Sequence, residues 1–80
     1  MRTIADIPHP HCKISVFYMN GKYIVKVEKA DLEQTFKIRE TDLFAGADDI
    51  PVLFNEKMLS RILERFREME KDIHASLSAL

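Results

Sequence analysis

Between residues 12 and 39 apolar and polar positions alternate with a period of two, the rhythm of strands whose two faces differ. Towards the C-terminus the rhythm changes. Met58, Leu59, Ile62, Leu63, Phe66, Met69, Ile73 and Leu77 recur at the three- and four-residue spacing of one helix face, and residues 55–80 contain neither glycine nor proline. Residues 40–54 mix Leu43, Phe44, Ile50, Val52, Leu53 and Phe54 with turn formers. Residues 1–11 read as an extended arm, because Pro8 and Pro10 disfavour the α conformation in the residue before each.

The clearest local signal is VFYMNGKYIVKV, Val16 to Val27, where Asn20-Gly21 separates two β-rich runs. Both residues tolerate the positive φ that a two-residue type I′ hairpin requires. That turn pairs Met19 with Lys22, Tyr18 with Tyr23, Val16 with Val25 and Ile14 with Val27. One face then carries Cys12, Ile14, Val16, Tyr18, Tyr23, Val25 and Val27, which is a core face. A third strand, from about Leu32 to Arg39, follows a short turn at Ala30-Asp31 and adds Leu32, Phe36 and Ile38 to that face.

The last segment supplies the cover, with Asn55 as N-cap or with a start near Asp48 that places Pro51 in the first turn. These elements predict an α+β domain in two layers: a three-stranded antiparallel meander followed by one long helix, β-β-β-α. Eighty residues allow one core, so 1–80 is a single domain.

A content of 46% apolar and 31% charged residues places the chain among ordinary folded domains rather than disordered tails. Cys12 is the only cysteine, which excludes an intrachain disulfide and makes a reducing cytoplasm the expected setting. No apolar run approaches the roughly 20 residues of a membrane span, and the N-terminus has no apolar signal-peptide core. A net charge of -1 gives no overall attraction to nucleic acid.

His9, His11 and Cys12 are the metal-ligand candidates, with His74 as a distant fourth. In an extended strand His9 and His11 point to one side and Cys12 to the other, and no second ligand pair follows. The stretch therefore reads as a stiff structural lead-in, and no metal or cofactor is expected. Catalysis has little material. Gly21 and Gly46 are the only glycines, so no phosphate-cradling loop exists, and Glu64, Glu68 and Asp72 form a solvated helix stripe. The chain is expected not to be an enzyme.

The second sheet face carries Lys13, Ser15, Phe17, Met19, Lys22, Ile24, Lys26, Glu28, Glu33, Thr35, Lys37 and Arg39. Phe17, Met19 and Ile24 break the polar pattern expected of a solvent face. They mark an interaction surface, unless the arm or the 40–54 segment folds over them. Lys13, Lys22, Lys26, Lys37 and Arg39 on the same face are the contacts a nucleic-acid backbone would use.

The helix, if it ran from residue 55 to 80, would span ~39 Å at 1.5 Å per residue. An eight-residue strand spans only ~27 Å. Leu63, Phe66, Met69, Ile73 and Leu77 thus exceed what one sheet covers. The sequence predicts a non-catalytic interaction module, a homodimer with a scaffolding, adaptor or regulatory role. A nucleic-acid-binding domain is the alternative, and a metal-binding protein the third reading.

Overall fold

Asn20 and Gly21 take φ of 54° and 74°, and close a hairpin between β2 (Lys13–Met19) and β3 (Lys22–Lys29). The register is the one the alternation predicts, with Met19 opposite Lys22, Val16 opposite Val25 and Ile14 opposite Val27. The computed structural model describes residues 2–40 and 46–80. A second hairpin joins β3 to β4 (Leu32–Arg39), with Val25 opposite Phe36 and Tyr23 opposite Ile38. Its loop is two residues long, Ala30-Asp31, because Lys29 faces Leu32. Ala30 has φ of 54°, in the left-handed region that favours glycine. An alanine Cβ crowds the backbone in that conformation, so Ala30 is strained.

The predicted three-stranded sheet is corrected to four strands. Arg2–Ile7 forms β1, antiparallel to β2, and the sheet order is β1-β2-β3-β4. The arm is thus a strand through Ile7, and Pro8 to Cys12 become the connection to β2. Proline has no N–H to give a ladder, which is why pairing stops at Ile7 opposite Ile14. The pairing of β1 slips once, between Thr3 and Ala5, so Ile4 is the extra residue of a bulge.

After β4, Ala47–Asp49 make a 3₁₀ turn, followed by the short helix α1 (Ile50–Leu53) and the long helix α2 (Glu56–Leu77). Both sequence-level starts exist, as separate helices. Pro51 stands at the start of α1, where a missing N–H costs nothing. Phe54 then leaves the helical region, and Asn55 caps α2 by accepting the Met58 N–H on Oδ1 at 3.0 Å. Leu43 and Phe44 lie outside the described residues.

The core joins Ile14, Val16, Tyr23, Val25 and Val27 of the sheet to Ile50 and Phe54, and to Leu59, Ile62 and Phe66 of α2. Cys12, Leu32, Phe36 and Ile38 lie against it, as the register requires. Tyr18 sits at the rim, exposed, with its ring edge-on to Tyr23 at 5.0 Å. Gln34, also on the core face of β4, donates from Nε2 to the Ile62 carbonyl at 2.8 Å. A sheet side chain thereby fixes the helix at mid-length. The radius of gyration is 14.4 Å, against about 12 Å for a compact chain of this length, and the long axis is 47 Å. The excess comes from a 22-residue helix, ~33 Å long, that outruns its sheet.

Candidate functional site

Three surfaces carry the residues the sequence singles out: the β1–β2 loop, the second sheet face and the distal part of α2. In the loop, the expectation that His9 and Cys12 point apart is corrected. Residues 10–12 bend, and His9 Nδ1 accepts the His11 N–H at 3.1 Å and lies 3.5 Å from Cys12 Sγ. Since Nδ1 already accepts that N–H it carries no proton, and the Cys12 thiol is the donor. Burial pushes the Cys12 thiol above its ordinary pKa, and the positive charge of Lys29 offsets part of that rise. Such a thiol stays protonated near neutral pH and is not primed as a nucleophile. Among the described residues no group of three or more His, Cys, Asp or Glu side chains is arranged to hold a metal ion. His74 lines a groove at the β3–β4 turn.

The second sheet face is more closed than its sequence pattern implies. Ile24 is only 4% exposed, yet it lies outside the core cluster. It sits in mid-sheet, in register between Phe17 and Lys37, whose side chains flank it. The pairing of β1 also makes β2 an interior strand, and Ser15 is buried with it. Phe17 is half-buried, and Lys26 holds its Nζ 5.3 Å from the ring centroid, a cation–π contact. Ile24 is therefore corrected from an exposed to a covered position, and the face of Phe17 is already engaged. Met19, 42% exposed, is what remains of the apolar patch.

The basic residues keep their predicted places. Lys13, Lys37 and Arg39 are exposed, while Lys22 and Lys26 are half-buried. In register, Lys22 opposes Arg39, with Lys37 diagonal to it, while Glu28 opposes Glu33. Cations thus gather at one end of the β3–β4 pair and carboxylates at the other. Thr35 Oγ1 donates to Glu33 Oε2 at 2.8 Å, along the same edge. β1 adds Thr3 and Asp6 to this face, opposite Phe17 and Ser15, which the sequence reading missed by treating the arm as unpaired.

On α2 the predicted interaction stripe divides. Phe66 is 1% exposed and belongs to the core, so it is corrected from surface to interior: Ile14, Val25 and Val27 form a floor that fills with it. Leu63 and Met69 are half-buried and lean on the same cluster. Ile73 and Leu77 remain open, at 45% and 58%. Beside Ile73 lies a groove of about 250 Å³ between helix and turn, lined by Ala30, Asp31, Leu32, Glu70, Ile73 and His74. That volume falls below the 300–1,000 Å³ of small-molecule sites and suits one inserted side chain.

None of the described helices is long and apolar enough to cross a membrane. Comparison with protein-family models, curated proteins and solved structures finds no match.

Proposed function

We propose that this chain works by association, as a small non-catalytic interaction module that forms a homodimer and serves a scaffolding, adaptor or regulatory role. The observation that carries the reading is the distal part of α2, where Ile73 and Leu77 continue the core-facing line beyond the sheet and stay exposed. Met19 on the second face, and Val52 and Leu53 on α1, add further apolar surface to a core built from few residues. Burying one large apolar side chain stabilises by about 1.5–3 kcal/mol, a sizeable share of what holds a domain of this size. A closed symmetric pair is the commonest way for chains to gain it. Sedimentation velocity over a concentration series tests this directly: a monomer–dimer equilibrium is expected, weakened by Ile73→Asp. A monomer at all concentrations up to several hundred micromolar rejects it.

One observation favours a second reading, nucleic-acid binding: Lys22, Lys37 and Arg39 cluster at one end of the β3–β4 pair. Against it, Lys26 occupies the face of Phe17 that a base would stack on. Binding of a fluorescent single-stranded oligonucleotide that weakens with salt and with Lys37→Ala would support this reading. Its absence at low salt would remove it.

A further inference from the structure

The two edges of the sheet differ. β1 is broken by the bulge at Ile4 and ends at Pro8, the devices by which edge strands avoid pairing. β4 has eight residues, no proline and an unbroken register with β3. The two-residue turn makes Lys29 and Leu32 a hydrogen-bonded pair, so even-numbered β4 residues turn N–H and C=O towards β3. The Glu40 N–H bond to the Gly21 carbonyl, at 3.1 Å, continues that parity. Glu33, Thr35, Lys37 and Arg39 therefore aim their backbone groups outward, and among the described residues no strand or loop bonds to them.

The geometry points to β4 as a self-complementary edge: two copies of this chain pair β4 antiparallel to β4 about a dyad at Thr35. This pairing presupposes the self-association proposed above and gives it a contact. It sets Glu33 opposite Lys37 of the second copy twice over, and brings Arg39 beside Asp31. On the core face it sets Leu32 against Ile38. All three matches keep each residue on its own side of the joined sheet, because the dyad pairs odd with odd and even with even. The outward-facing residues become the hydrogen-bonded pairs, as an antiparallel ladder requires.

Charge placement inside one chain argues for the same partner. β3 offers β4 like charges, Glu28 against Glu33 and Lys22 against Arg39, an arrangement that opposes pairing. The second copy offers the opposite charges to the same residues on their free side. Moving the dyad to Phe36 keeps only one kind of opposite-charge pair, Glu33 with Arg39, while Lys37 then faces Thr35 and Leu32 faces Glu40, so the Thr35 register matches more charges and keeps the apolar pair. The Thr35 register also brings Ile38 of the second copy to Leu32, one wall of the groove that Ile73 lines. The distal helix and the sheet edge thus belong to one contact.

The experiment is a charge swap across the dyad, read by native mass spectrometry and sedimentation equilibrium on the full chain at low salt. Lys37→Glu places carboxylates opposite Glu33 at both symmetric positions, and Glu33→Lys places ammonium groups opposite Lys37. Each alone is expected to weaken the dimer about tenfold or more. Mixed one to one, the two variants are expected to form a heterodimer at least as tight as wild type, because every cross-strand pair becomes opposite in sign. Both side chains are exposed, so the fold tolerates the changes. In the wild type, the Thr35 amide should gain protection from hydrogen exchange as concentration rises. A wild-type dimer that ignores both variants, or variants that do not cross-pair, overturns the β4 contact and leaves association through another surface. A wild type that never dimerises overturns the association reading itself.

Discussion

Along the first half of α2, Leu59, Ile62 and Phe66 are buried, and Met58, Leu63 and Met69 flank them half-covered. Along the second half, from Glu70 to Leu77, every residue is exposed, although Ile73 and Leu77 hold the same line. The two halves share one apolar spacing and differ only in what lies beneath them. The first rests on Ile14, Val16, Val25 and Val27, whereas the second passes the Ala30-Asp31 turn, where the sheet ends. Helical periodicity thus specifies a face, and the length of the opposing layer decides how much of that face one chain can bury.

The comparison is most strongly tested in the first half. Phe66→Ala removes the largest of the fully buried side chains, and is expected to cost about 3–5 kcal/mol. For a small domain that is most of its stability. Urea denaturation followed by circular dichroism should show a transition shifted to far lower denaturant or lost altogether. A loss below about 1 kcal/mol would mean that the first half is no better anchored than the second.

A smaller effect is expected where the anchored half meets β4. Gln34→Ala deletes the bond from Nε2 to the Ile62 carbonyl, worth about 0.5–1.5 kcal/mol. That carbonyl also accepts the Phe66 N–H of the regular helix, so it is not left bare, which favours the lower end. Hydrogen exchange should show faster opening of α2 around Ile62. Unchanged exchange and an unchanged melt would mean that apolar contact alone fixes the helix on the sheet.

How much of this was legible in the residues divides along physical lines. The β2–β3 register and the core face of β4 were, because Asn20-Gly21 fixes one turn and strict alternation fixes the faces on either side. Asn55 as N-cap was legible too, since its short amide suits that position. β1 was not: Pro8, Pro10 and the bulge at Ile4 conceal the alternation of a six-residue strand. Missing it hid the interior position of β2, and made Ile24 and Phe17 look more open than they are. Nor does the loop from Pro8 to Cys12 announce its bend, since an extended strand would hold His9 and Cys12 on opposite sides rather than in contact. The charges on β4 were visible as a basic patch, but their mismatch with β3 and their match with a second β4 emerge only once β4 is known to be an edge.

The smallest expected effect falls at the far end of the second half. Leu77 lies outside the groove that Ile73 lines and beyond the last residue that touches the core. Leu77→Ala removes an exposed side chain and substitutes the strongest helix former, so neither burial nor propensity is lost. At concentrations low enough to keep the chain monomeric, its unfolding free energy should match wild type to within about 0.5 kcal/mol. A loss above about 1 kcal/mol, read by the same urea titration that reports on Phe66→Ala, would mean that Leu77 is held down within a single chain. The two halves of α2 would then be alike in kind, and the exposed end could no longer be taken as surface kept open for a second copy.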